Sequence, residues 1–343
     1  MAPPRPFLDP RRILILLLTP LTFMATLASL DLPLGAASKS SPPPVVSGLN
    51  GWLFLGSELR FLQQTTFWGA QAAKVARSPK AEHADPIPAI VQLKDQLQQA
   101  GIQLLLVPVP PKAAVYPEAL EPKTQNSLHP EALDAFYRTL AQQQIQVLDL
   151  RPIFADKLRT ENEPLYCKTD SHWSGKGCVL AAESIAQTLR PSLLGIQPPT
   201  PLHSPKAQWA QSQIQGDLAA LAPEKRIAPE QVALRQISDA SGKPLQPDPA
   251  SPILLMGDSH TLVFHEFLGE RAGLFDQLAQ ETGILPDLIG TRGSGATAVR
   301  ISLLRRSIKD PTYLSSKKIV IWCFAAREFT EADQGWQPLP IRR

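Results

Sequence analysis

Three short segments carry residue types that can do chemistry. They are Tyr166-Cys167-Lys168-Thr169-Asp170-Ser171-His172-Trp173, Leu255-Met256-Gly257-Asp258-Ser259-His260-Thr261 and Gly290-Thr291-Arg292-Gly293-Ser294-Gly295-Ala296. In the second, an apolar strand pattern meets a glycine, a carboxylate and a hydroxyl, and a short helix is expected over 261–268. Ser259 then lies at the carboxyl end of a strand and the amino end of a helix, the edge where open α/β sheets bind ligands. Backbone N–H groups at such a corner favour developing negative charge. Alone, this serine is either a nucleophile or an ordinary helix cap. The first segment favours the nucleophile. Asp170 and His172 are two apart, so in an extended loop their side chains share a side. The carboxylate can accept from Nδ1–H and leave Nε2 to take a proton from a serine elsewhere, the base-and-orienter half of a Ser-His-Asp triad. In the third, Gly293 and Gly295 permit close backbone approach, so N–H groups of Gly293, Ser294 and Gly295 can join that of Ser259 in an oxyanion hole. A donor of this kind contributes roughly 10²–10³ in rate.

A metal reading competes, because Asp-Ser-His occurs at 170–172 and again at 258–260, with His265 nearby. Carboxylate and imidazole together suit zinc. No H-x-x-x-H or H-E-x-x-H frame accompanies them, and the serine reading accounts for more residues, so neither a metal nor a cofactor is expected. His83, His129 and His203 read as surface histidines.

These segments need a scaffold. Ile87, Ile90, Val91 and Leu97 recur at helical spacing up to Gly101, and the run at 102–109 follows as a short buried strand. Residues 130–143 place Leu133, Phe136, Tyr137 and Leu140 on one face and lead into a strand at 145–150. Residues 175–189 are helical, with Ser174 placed to cap them. Apolar strands at 253–256 and 318–324 complete the pattern. Continuous apolar strands between helices predict an α/β fold with a mostly parallel sheet covered on both faces. The stretch 193–250, rich in Pro, Gln, Ser and Ala, shows no strong period and reads as an irregular insertion, not a second domain.

The chain has 343 residues, with 34 Lys+Arg against 31 Asp+Glu, 43% hydrophobic residues and 3 Cys. A net charge of +3 is too mild and dispersed for a nucleic-acid face. The apolar content excludes wholesale disorder, and three cysteines exclude a disulfide-stapled miniprotein. Its 35 prolines are twice the usual ~5% share and imply many rigid turns. Arg5, Arg11 and Arg12 precede an uncharged apolar run at 13–30, followed by Asp31. This is the pattern of a signal peptide or signal anchor that leaves the rest of the chain outside the cytoplasm. Three parts are therefore expected: the targeting segment 1–37, a Pro/Ser linker 38–47, and one catalytic domain 48–343 carrying the insertion.

With these motifs in order, the chain resembles the SGNH-hydrolase-like alginate O-acetyltransferase family, the exported AlgJ/AlgX-type proteins. Shared blocks include Asn50-Gly51-Trp52-Leu53-Phe54-Leu55, the 104–120 stretch, Thr169 to Trp173, Gly257 to His260, and the strand at 319–324 followed by Ala325-Ala326-Arg327-Glu328. The resemblance implies a three-layer α/β/α sandwich in which the Asp/His segment precedes the Gly-Asp-Ser segment, a permuted order. It implies Ser259 as nucleophile, His172 as base and Asp170 as its orienter. The expected activity is transfer of acetyl, through a serine acyl-enzyme, to hydroxyls of an exported polysaccharide, in the periplasm or anchored to the inner membrane. The acetyl donor would be supplied by a membrane-bound O-acyltransferase. The same triad with water as acceptor makes a carbohydrate acetylesterase, and a non-catalytic scaffold of a polysaccharide export complex is a third reading. Arg292 and Arg327 are candidates to hold a sugar or uronate carboxylate, or are surface-solvated. Cys167 and Cys178 bracket the Asp170–His172 loop and could pin it as a disulfide in an oxidising compartment, whereas Cys323 reads as a small buried hydrophobe.

Overall fold

The uncharged apolar runs become strands buried on both faces. The computed structural model describes residues 42–341, except 162, 223–226 and 294. Among the described residues the strands are β1 (Val45–Ser47), β2 (Leu53–Leu55), β3 (Gln103–Val109), β4 (Gln146–Val147), β5 (Lys206–Ile214), β6 (Glu230–Ser238), β7 (Ile253–Gly257), β8 (Asp287–Gly290) and β9 (Ile319–Ala325). Five form one parallel sheet in the order β4-β3-β9-β7-β8. Leu105 and Leu255 both pair with Ile321 across its middle, so Val109, Ala325, Gly257 and Gly290 end at one edge. Every residue of β9 is buried, and each large apolar side chain there contributes about 1.5–3 kcal/mol.

Helices flank the sheet. Helix Pro86–Gln99 starts with Asp85 accepting from Ile87 N–H and Pro86 in its first turn, and buries Ala89, Ile90, Leu93 and Leu97. Ser174 caps helix Gly175–Leu193 by accepting from Gly177 N–H at 3.2 Å. That helix packs against Leu274–Thr282.

Several expectations fail for local reasons. The strand expected at 145–150 is confined to β4, because Asp149 accepts from Arg151 N–H and starts helix Leu150–Thr160. The helix expected over 261–268 is instead Ser259–Leu262; Phe264 and Leu268 take positive φ, which ends any continuation. The linker expected at 38–47 gives way at Val45 to β1, antiparallel to β2, and Val45 and Leu53 form a small apolar cluster with Leu218 and Ala219. The 193–250 stretch is not irregular throughout. It holds β5 and β6, paired antiparallel from Lys206↔Ser238 to Ile214↔Glu230, and between them helix Asp217–Leu221. Because β5 is mostly exposed and rich in Gln, it lacks the apolar alternation that would have marked it. Among the described residues no helix is long and apolar enough to cross a membrane; the 13–30 run lies outside them.

Candidate active site

At the carboxyl end of β7 the chain must turn without losing backbone partners. Asp258 does this with both carboxylate oxygens: Oδ1 accepts from His260 N–H at 2.9 Å and Oδ2 from Ala325 N–H at 2.7 Å. It thereby caps helix Ser259–Leu262 and ties it to the end of β9. Burial pushes the Asp258 carboxyl up, but the His260 and Arg327 charges and the Ala325 N–H outweigh it and hold its pKa at about 2. His260 is pulled down to about 4 by burial, which Asp258 offsets only in part. Its ring lies 4.8 Å from that of His172 and 5.2 Å from that of Trp173.

Ser259 opens this helix, and the other two side chains come to it from a pinched loop. Tyr166 and Trp173 pair as a bridge, and Cys167 N–H donates to His172 O at 3.2 Å. His172 Nε2 is 2.8 Å from Ser259 Oγ, and Nδ1 is 2.6 Å from Asp170 Oδ1. With Asp170 ionised, Nδ1 carries the proton and Nε2 accepts from the serine. All three side chains are buried. Burial pushes Asp170 up, yet its hydrogen bond to His172, that charge, and the N–H groups of Asp217 and His172 hold it below the usual carboxylate range. Burial pulls His172 down, but Asp170, Asp217 and Asp258 outweigh it and raise its pKa.

Charged groups outside the triad support it. Lys112 is fully buried, and its Nζ donates to the carbonyls of Leu53 at 2.7 Å, Cys167 at 2.8 Å and Asp170 at 2.6 Å. Glu58 Oε2 accepts from Lys112 N–H at 3.2 Å, and Glu58 Oε1 pairs with Arg327 Nη1 at 3.3 Å. Asp217 lies beside Asp170 and His172, with ligand-type atoms of the three within 4.8 Å of one another. Such a cluster has the spacing for a cation, but each of those oxygens and ring nitrogens has an internal hydrogen-bond partner. A cleft of about 820 Å³ runs along β8, lined by Asp287, Arg305, Arg306 and Lys309. It contains no triad residue, and the chemistry places the candidate site at Ser259.

The family described as "SGNH hydrolase-like domain, acetyltransferase AlgX" matches residues 45–285. The chain belongs to this family. Among its relatives, "Probable alginate O-acetylase AlgJ" of Azotobacter vinelandii is 24% identical over 313 residues, covering 86% of this chain and 73% of that protein. The Pseudomonas putida protein of the same name is 31% identical over 158 residues, 46% of this chain and 37% of that one. "Alginate biosynthesis protein AlgX" of Pseudomonas aeruginosa is 25% identical over 292 residues, 79% of this chain and 57% of that protein. In three dimensions the O-acetyltransferase domain of Pseudomonas putida AlgJ superposes with TM-score 0.65 at 23% identity, covering 85% of this chain and 94% of that one. Pseudomonas aeruginosa AlgX gives 0.60 at 22%, covering 85% and 63%. These likenesses establish the SGNH-hydrolase-like α/β fold, and the family ties the chain to polysaccharide acetylation.

Within this family fold the remaining sequence candidates take varied places. Gly295 packs on the Asp258–Ser259 corner: a Cβ there would sit 2.5 Å from Asp258 Cβ, so only glycine lets the loop lie beside Ser259. Gly293 is exposed with φ +86, and Ser294 lies outside the described residues. Arg292 is exposed, its guanidinium 4.4 Å above the Phe267 ring, which lies 5.6 Å from the His172 ring, at the rim of the site. Arg327 is not a solvated surface residue: its side chain is 13% exposed and paired with Glu58. The disulfide that Cys167 and Cys178 could form is absent, both being free and buried. Cys167 Sγ contacts Trp173 O at 3.5 Å, whereas Cys178 sits on its helix among the charges of Asp276 and Arg235. The bridge and backbone hydrogen bonds pin the loop instead. Sequence reasoning missed Lys112, Glu58, Asp217 and Glu230. Lys112 alone had a signal, a charge inside the apolar run at 104–120.

Proposed function

We propose that the chain is an exported O-acetyltransferase that carries acetyl on Ser259 to hydroxyls of a polysaccharide. The observation that supports this reading is the hydrogen-bonded chain Ser259 Oγ, His172 Nε2 and Nδ1, Asp170 Oδ1. Ser259 Oγ attacks the acetyl carbonyl of the donor while its proton passes to His172 Nε2. The tetrahedral oxyanion faces the Ser259 N–H and the N–H groups of Gly293 and Gly295. As the intermediate collapses, the donor's leaving group takes the proton from His172 and acetyl remains on Ser259. A sugar hydroxyl then gives its proton to His172 Nε2 and attacks the acyl-enzyme, and Ser259 recovers the proton as it leaves. Asp170 stays ionised throughout and stabilises the imidazolium. Arg292 at the rim is placed to meet an acidic or hydroxyl-rich acceptor. The family resemblance implies a donor, acetyl passed by a membrane-bound O-acyltransferase, and the apolar run at 13–30 supports a periplasmic setting.

Incubating the protein with a small acetyl ester and a polysaccharide acceptor, and measuring acetyl-enzyme, acetyl-glycan and free acetate, tests this. Wild type should form acetyl-enzyme and acetylated glycan, and Ser259→Ala neither. Full transfer by Ser259→Ala would refute the assignment of the nucleophile. Acetate released without glycan acetylation would make the protein an esterase.

A further inference from the structure

Two carboxylates from the 193–250 excursion meet the loop carrying Asp170 and His172, and neither belongs to the triad. Asp217 Oδ1 accepts from Ser171 N–H at 2.7 Å and Oδ2 from Ser171 Oγ–H at 2.6 Å. In return, Asp217 N–H donates to Asp170 Oδ2 at 2.8 Å. Glu230, the first residue of β6, accepts from Lys168 N–H at 2.8 Å, Thr169 N–H at 2.9 Å and Thr169 Oγ–H at 2.8 Å.

The loop has no strand ladder at 168–172, so its buried polar groups need other partners. The N–H groups of Lys168 and Thr169 go to Glu230, that of Ser171 to Asp217 and that of His172 to Asp170. The carbonyls of Cys167 and Asp170 take the Lys112 ammonium, and that of Thr169 takes Ala219 N–H at 3.0 Å. Four of these seven groups are paired by the excursion. Close approach is built in at Gly216, where a Cβ would lie 2.1 Å from Thr169 O and 2.8 Å from Asp170 N. Leu218 and Ala219 fasten the same helix to Val45 and Leu53.

We infer that the excursion is part of the catalytic apparatus, with Asp217 a positioning residue that aims Asp170 at His172 and whose charge favours the protonated imidazole. This rests on the triad reading of Ser259, His172 and Asp170. Burial and the neighbouring Asp170 charge raise the Asp217 carboxyl, against the His172 charge and the Ser171 donors; both of its oxygens accept from N–H or O–H donors, as an ionised carboxylate does. The charged and titratable groups around His172 are Asp170 on its own loop, Asp258 and His260 at the nucleophile corner, and Asp217 on its helix. Arg327, Glu58 and Lys112 lie behind them and Arg292 across Phe267. Within this set Asp217 adds a second carboxylate within 4.8 Å of the imidazole, and an opposite charge that close favours the protonated form.

The test is the pH dependence of covalent labelling of the full chain by phenylmethylsulfonyl fluoride. The label is read by intact mass in wild type, Ser259→Ala, Asp217→Asn, Glu230→Gln and Gly216→Ala. Labelling requires neutral His172, so its acid limb reports that imidazole. Asn at 217 keeps an oxygen for Ser171 and leaves the backbone N–H in place, and should shift the acid limb down by about 1–2 pH units. Glu230→Gln, which touches the loop farther from the imidazole, should leave the limb in place. Gly216→Ala should slow labelling by about 10²-fold by displacing the excursion from the loop. If Asp217→Asn does not fold, Asp217→Ser carries the same expected shift. Equal labelling of wild type and Ser259→Ala would overturn the triad reading itself. Labelling of Ser259 with an unmoved acid limb in the 217 variant would overturn this inference while the triad reading stands.

Discussion

Replacing Lys112 with Met removes a cation from beneath the catalytic loop while nearly preserving its volume. The Nζ of Lys112 donates to the carbonyls of Leu53, Cys167 and Asp170 at 2.6–2.8 Å, inside a fully buried site. Leaving each carbonyl without a donor costs about 1–3 kcal/mol. Two gains offset part of this: methionine burial contributes about 1.5–3 kcal/mol, and the several kcal/mol spent desolvating an ammonium are no longer required. Glu58 keeps Arg327 and the residue 112 N–H as partners, so no bare charge is created there. With no bare charge left behind, the full cost of a broken buried ion pair does not apply, and the three carbonyls without a donor leave a net loss of about 1–3 kcal/mol. That is a large share of the ~5–15 kcal/mol available to a typical domain. Urea unfolding followed by tryptophan fluorescence should show a lower midpoint with an unchanged slope. Labelling of Ser259, measured where both proteins are folded, should slow as well, because the Asp170 carbonyl is no longer held. A loss below about 1 kcal/mol together with a wild-type labelling rate would refute the reasoning: the carbonyls would have other donors, and the lysine would not be the floor of the site.

Two further outcomes follow from the same geometry. Asp170→Asn should fold normally yet lose about 10⁴-fold in acetyl-enzyme formation, because the amide favours the wrong imidazole tautomer; a loss below tenfold in a stopped-flow acylation assay would argue against Asp170 as the orienter. His260 is buried neutral with its pKa lowered to about 4, below the unfolded value near ~6.5. Its contribution is therefore fully present above the unfolded value and is lost as pH falls through about 4, amounting to about 3 kcal/mol. Urea unfolding at neutral and acid pH should show this fall in wild type and a shallower one in His260→Gln, with equal slopes counting against it.

What could be read from the sequence had local signatures. Ser259 and the Asp170–His172 pair stand in short motifs whose residue types declare their chemistry, and unbroken apolar runs declared β3, β7 and β9. What escaped depends on partners far along the chain. Asp217 meets Asp170 across 47 positions and Lys112 meets it across 58, and neither has a flanking pattern that names its partner. The β5–β6 ribbon was hidden because its outer strand faces solvent with Gln and Ser, so hydrophobic alternation never appears. The possible Cys167–Cys178 disulfide is absent for a related reason: the two cysteines are near each other in sequence, but helix Gly175–Leu193 turns Cys178 towards a different set of side chains.

The strand order has a bearing on how the molecule is made. Among the described residues β9 is the last strand, yet it sits between β3 and β7. During synthesis the β3–β4 pair and the β7–β8 pair therefore remain without a shared neighbour until residues 319–325 emerge. Ala325 N–H, on that same strand, is also the donor that fixes Asp258 beside Ser259. A chain stalled or cut before this strand would lack both the centre of the sheet and the Ala325 donor that fixes Asp258.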